Sequence, residues 1–281
     1  MPSCPLIRLN IAKYPVILWL VALAITLASA RYQRHTGPTY PVEDEMTING
    51  QTISYELTRS ATTGSDTPVI LALPDSSVQA FLQYRRYKSN DEWTTVPMLQ
   101  QNDGTVVAEL PSQPAAGKVM YKVLIKSGPG DLISLTGEKP VIIRYKGHVP
   151  LGVLIPHIFF IFGAMLLSNR TGMEALDGQN GKPQNLLYWT IAVVFIGGLI
   201  MGPLVQKYAF DAYWTGVPFG WDLTDNKTLI AFVGWIFAWW KNHGEHRSRL
   251  AIIFAALLMF AIFMIPHSVL GSELDYTKMP E

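Results

Sequence analysis

Cysteine is almost absent, with Cys4 the single thiol in 281 residues. An intrachain disulfide framework, a CxxCH haem attachment and a thiolate metal site are all excluded, so any exported domain must stand on packing alone. Charge is scarce as well: 15% of residues are charged against 49% hydrophobic, and the formal net charge is +1. No Lys/Arg stripe rises above that background, which excludes nucleic acid as a partner. The balance is too apolar for an ordinary soluble domain and too polar for a chain lying wholly in a bilayer.

The apolar residues gather into long runs. Spanning about 30 Å of hydrocarbon takes roughly 20 helical residues, and segments 14–30, 149–168, 186–205 and 250–270 meet or approach that length. A shorter fifth segment, 228–240, reaches it by tilting or by continuing from the aromatic stretch Val217 to Trp221. With Arg8 and Lys13 inside, Arg170, Lys182, Lys241, Arg247 and Arg249 also fall inside, while connection 206–226 carries Lys207 against Asp211, Asp222 and Asp225. The Lys/Arg bias therefore predicts five spans with the N-terminus in and the C-terminus out, with Arg31 and Arg34 against the trend. Ala28-Ser29-Ala30 matches a signal-peptidase pattern, but the segment is read as a retained signal anchor.

Between Arg31 and His148 the hydrophobic period changes to two. Val119, Tyr121, Val123 and Ile125 alternate with Lys118, Lys122 and Lys126, the pattern of a half-buried strand. Similar runs lie at 52–59, 69–73, 78–87, 105–110 and 141–145. Turn residues separate them at Gly64-Ser65-Asp66, Pro74-Asp75-Ser76, Asn90-Asp91, Asn102-Asp103-Gly104, 114–117 and Gly128-Pro129-Gly130. This spacing predicts an antiparallel β-sandwich of immunoglobulin or fibronectin III style. Its only histidines, His35 and His148, stand at its ends and no Ser/His/Asp grouping accompanies them. A docking module is expected, with Tyr84-Arg85-Arg86-Tyr87 and Trp93 as an aromatic and basic surface or a solvated edge strand.

The expected fold is thus an α+β membrane protein: a tail and N-terminal transmembrane anchor over 1–34, an exported β-sandwich over 35–148, a four-helix transmembrane bundle over 149–271, and an exported tail over 272–281. Its place is the inner cell membrane, multi-pass, with the sandwich on the periplasmic side.

The chemical lead is a repeated tripeptide, Ile155-Pro156-His157 and Ile265-Pro266-His267. An ionisable side chain at membrane depth is costly and faces a partner, a cofactor or water. Helical rise puts the two histidines about 12 Å and about 6 Å below the outer ends of their spans. Each preceding proline frees a carbonyl, at Gly152 and Ile262, and permits a kink. Facing helices with paired histidines suit haem b or a quinol. The aromatic connection adds Trp214 and Trp221, and Asp222, Thr224, Asp225 and Asn226 stand just before a helix, where such oxygens ordinarily cap free N–H groups. The functional alternative gathers Asp222, Asp225, Glu273 and Asp275 with the histidines around a cation, a quinol headgroup or a haem propionate.

Gly198-x3-Gly202 is expected to pack two spans closely. His243 and His246 are expected in a solvated loop, and Trp235, Trp239 and Trp240 at the inner interface. Three function classes follow. The first is a redox subunit with haem b or quinol between His157 and His267, partnered by the lipid bilayer, other subunits and an exported electron carrier. The second is a non-catalytic structural or assembly subunit of a larger membrane complex. The third, a metal-dependent membrane enzyme or transporter, is disfavoured because the inner halves of the spans show no acid or base to continue a pathway.

Overall fold

The computed structural model describes residues 11–48, 50–73, 78–127, 132–267, 271 and 273–278. The turns expected at Pro74-Asp75-Ser76 and Gly128-Pro129-Gly130, and Cys4, lie outside them. The chain divides into a helical unit, Met1–Gly37 with Val149–Tyr208 and Ala212–Gly271, and a β unit, Pro38–His148 with Ala209–Asp211 and Ser272–Glu281. The protein is therefore mixed α+β.

In the helical unit Pro15 opens α1, Pro15–Thr36, at the one helical turn where a missing N–H costs nothing. α2 covers Leu151–Leu176 and runs through Pro156. α3, Gln184–Val194, passes through a π-helical turn at Phe195–Met201 into α4, Gly202–Phe210. α5 is Leu223–Trp240 and α6 is Arg249–Met264. Among the described residues three helices are long and apolar enough to cross a membrane: α1, α2 and the continuous Gln184–Phe210. α6 is a shorter apolar helix.

Small residues let these helices approach. A Cβ on Gly172 of α2 would stand 2.6 Å from the Ala256 Cβ of α6, and one on Gly234 of α5 would stand 2.8 Å from Leu258 Cδ2. Helices without a hydrophobic drive between them associate through this close fit. Gly198 behaves as its motif predicts, lying 2.6 Å by the same measure from Thr228 Cγ2 of α5.

Four expectations change here. Trp235 is fully buried, its Nε1 directed at Met259 Sδ 3.2 Å away, so it is a core residue and not an interface anchor. Arg170 lies inside α2, where it pairs with Glu174 at 2.6 Å, both nearly buried. The end of α2 away from His157 therefore does carry an acid and a base. The helix after Leu186 continues to Phe210, and α5 starts at Leu223, so connection 206–226 shortens to 211–222. Finally, α6 stops at Met264 instead of kinking through Pro266. Proline pushes the residue before it out of the helical region, and Ile265 is extended, at φ −81° and ψ 116°.

The β unit begins with β1, Val42–Ile48, and β2, Gln51–Leu57, which pair antiparallel. β3 (Ser60–Thr62), β11 (Val141–Lys146), β9 (Lys118–Ser127), β5 (Val78–Arg86) and β6 (Thr94–Pro97) follow in that spatial order, with β10 (Ile133–Ser134) on β9. β4 (Thr67–Ala72), β8 (Thr105–Leu110) and β7 (Leu99–Gln100) form a third sheet. The alternation on β9 holds: Val119, Tyr121, Val123 and Ile125 are at most 1% exposed. Side chains from all three sheets, among them Leu57, Leu71, Leu82, Leu110 and Ile143, share one core. Buried Tyr55 and Tyr121 carry their hydroxyls to the Leu135 and Thr58 carbonyls, each at 2.8 Å, which keeps a polar tip satisfied in an apolar place. β5 lies between β9 and β6 as far as Tyr84, while Arg85 and Arg86 pair only with β9 and stand on an open edge.

Candidate functional site

His157 sits in the second turn of α2, and its Nδ1 is 3.0 Å from the carbonyl oxygen of Gly197. A carbonyl only accepts, so Nδ1 carries the proton and Nε2 presents a lone pair. Among the described residues Nε2 has no hydrogen-bond partner. The π-helical turn makes this contact possible. Gly197 has no side chain, and a Cβ there would stand 3.0 Å from the backbone of Phe160 and Ile161. Its carbonyl also accepts the Gly202 N–H at the end of the turn. π-turns of this kind recur at functional sites.

His267 follows the broken end of α6 in a turn, not a helix. The break leaves carbonyls without intrahelical partners, and Lys227 of α5, only 5% exposed, supplies the donor. Its Nζ donates to Ile265 O at 2.7 Å and to Pro266 O at 3.4 Å. Gln33 of α1 donates its amide to the Phe263 carbonyl. His267 lies within electrostatic reach of both Lys227 and His157. The two histidines of the repeated tripeptide thus stand within electrostatic range of each other in the helical unit.

A cavity of about 20 Å³ lies beside His267, lined by it, Lys227, Gln33 and Thr228 and by apolar side chains including Ile161 and Phe263. That volume holds one water-sized body.

The other expected members serve local structure. Asp222 caps α5, accepting from Thr224 N at 2.8 Å and Asp225 N at 3.4 Å. The Asp225 carboxylate accepts from Thr215 N at 2.6 Å and Gly216 N at 3.0 Å, and Asn226 Oδ1 accepts from Val217 N. Together they fold loop 211–222 onto the start of α5. Trp214 Nε1 donates to Val217 O, and Trp221 is 87% exposed.

Glu273 and Asp275 belong to the β unit. Glu273 pairs with both Lys88 and Lys118. Burial pushes its carboxyl up, but the hydrogen bonds from the two lysines outweigh burial and hold it below its usual value. Asp275 accepts from Thr277 and pairs with Lys278 at 3.4 Å. Arg86, bonded bidentately to Asp91, lies over Tyr276, and Arg85 over Trp93. Among the described residues no group of three or more His, Cys, Asp or Glu side chains converges as a metal site would require.

Lys227 and Gln33 escaped the sequence reading. Lys227 is five residues from the capping aspartate, in the second turn of α5, where a lysine ordinarily faces water. Only the position of the broken end of α6 makes it a buried donor.

The fold and this site define an α+β protein with membrane-compatible helices and a histidine and lysine cluster at one helical end. The chain matches no protein-family model and no curated protein sequence.

Proposed function

We propose that this chain is an integral-membrane subunit of a redox complex, and that the His157, His267 and Lys227 cluster receives a quinol headgroup. His267 and Lys227 at one water-sized cavity, with His157 within electrostatic reach of His267, carry the reading. A hydroxyl oxygen is itself water-sized, so it alone enters that space while the ring lies against Ile161 and Phe263. In the quinol state the hydroxyl donates to a neutral imidazole. In the quinone state the same oxygen accepts from the Lys227 ammonium, so both states find a partner. On oxidation to the quinone the two electrons pass to a carrier held by a partner subunit, and of the two protons released the one at this site leaves through the imidazole that accepts the hydroxyl, the other from the far hydroxyl to solvent.

In this reading the helices are an anchor followed by a four-helix bundle in the inner cell membrane. The β unit is a periplasmic immunoglobulin-like sandwich that docks other subunits or an exported carrier. The shared core of its sheets supports the sandwich. The assignment of Ala209–Asp211 and the C-terminal tail to the β unit supports a common side for all three.

The test is titration of the purified chain in detergent with a short-chain quinol analogue. Saturable binding is expected, weakened about tenfold or more by His157→Ala and by His267→Ala and unchanged by His243→Ala. Sharp haem b bands in a reduced-minus-oxidised spectrum, lost in both histidine variants, would replace the quinol with haem. With neither signal, the non-catalytic structural or assembly subunit leads. That second reading is favoured by the way Lys227 and Gln33 close backbone carbonyls at the α6 end.

A further inference from the structure

The β unit contains a second, larger concavity that no part of the quinol reading uses. It has a volume of about 380 Å³, within the range of small-molecule sites. It lies where the paired strands β1 and β2 meet the turn leading into β11, and Tyr55, Leu135 and Val141, all buried, belong to its lining. Two cations, Arg59 and Lys139, and one carboxylate, Asp44, also line it.

Arg59 is the informative residue. It stands between β2 and β3, half-buried, and its backbone carbonyl accepts from Arg144 N at 3.1 Å, which ties that backbone to β11. Its guanidinium has no hydrogen-bond or ion-pair partner among the described residues. Burial pulls its pKa below the usual value, with the nearby Tyr121 acting the other way. A partly desolvated cation without an anion is a cost that the fold leaves in place, and the planar fork of arginine matches a carboxylate with two parallel hydrogen bonds. Asp44 forms no ion pair with it; its Oδ1 accepts the Glu45 N–H. The concavity thus offers a cationic region, an apolar wall of Val42, Leu135 and Pro140, and a separate acceptor.

We infer that this concavity binds a small amphipathic carboxylate, held by Arg59 with Lys139 beside it, with its apolar body against Val42, Leu135 and Pro140. Asp44 extends the preference to ligands that also carry an amino group, as an apolar α-amino acid does. Such a ligand makes the β unit a sensing or capture module as well as a docking one.

The test uses the full chain in detergent and isothermal titration with phenylalanine, 3-phenylpropionate, phenethylamine and inorganic phosphate. Phenylalanine and phenylpropionate are expected to bind saturably, and phenethylamine is not. Arg59→Ala should abolish binding and Arg59→Lys should weaken it about tenfold or more, because a lysine lacks the fork. Asp44→Asn should remove only the advantage of phenylalanine over phenylpropionate. Unchanged circular dichroism and melting temperature in the Arg59→Lys chain separate lost binding from lost fold. Binding by none of the four probes overturns the inference, as does binding that survives Arg59→Ala. Preference for phosphate over both carboxylates overturns the ligand class. Since His157 and His267 are not involved, their alanine variants should bind phenylalanine normally, so this site and the quinol site fail or stand separately.

Discussion

Single residues in this protein earn their positions through backbone hydrogen bonds more than through one another. Asp177, at the C-terminal end of α2, is the strongest case. Its carboxylate is fully buried from solvent and accepts N–H bonds from Asn180 at 3.0 Å, Gln179 at 3.1 Å and Ala12 at 3.0 Å, joining the segment before α1 to the loop after α2. Those donors, the Asn180 N–H foremost, hold its pKa down to about 2. The free value is about 3.9. A carboxyl depressed on folding stabilises the folded state above its unfolded pKa and loses that contribution as the pH falls through the folded one. Asp177→Asn should therefore lower the melting temperature in detergent at neutral pH. The gap between the two proteins should close between about pH 4 and about pH 2. A gap that stays constant down to pH 2 would show that packing, not charge, is at stake.

Elements are placed by small residues and by prolines in different contexts. Pro156 falls early in α2, where the helix continues with one carbonyl freed, whereas Pro266 follows the extended Ile265 just past the end of α6. The same tripeptide thus has two outcomes, one inside a continuing helix and one past a helix end. The approach of α2 to α6 gives a second prediction. Gly172→Leu puts a side chain where a single Cβ would already stand 2.6 Å from Ala256. The two helices must part, and overpacking of this kind costs about 1–3 kcal/mol. Thermal melts should show the loss, and Gly172→Leu combined with Ala256→Gly should recover part of it. A Gly172→Leu chain as stable as the parent would mean that the helices do not approach there.

At the scale of the whole molecule, the membrane topology is open to direct labelling. Single cysteines placed at Ser65, Thr215 and Thr277 in a Cys4→Ser background should all react with an impermeant thiol reagent in intact spheroplasts, and one at the exposed Gln179 should not. Reaction at Ser65 but not at Thr277 would remove the five-span reading. What was legible from the sequence alone follows from period and composition. Alternation marked β8 at Thr105–Leu110 and the buried face of β9, and apolar length marked α1, α2 and Gln184–Phe210. Capping by Asp222 was legible too, because a short oxygen-bearing side chain before a helix meets free N–H groups wherever the helix lies. The helix end at Met264, the burial of Trp235 and the role of Lys227 were not legible. Each depends on a partner far along the chain: Met259 for Trp235, and the Ile265 and Pro266 carbonyls for Lys227. The meeting of His157 with Gly197, and of Arg59 with an apolar wall drawn from strands distant in sequence, is likewise a product of tertiary packing. Local pattern determines which residues form an element and which face they bury, while the chemistry of both sites was decided only when separate elements brought their backbone and side-chain polar groups into one place.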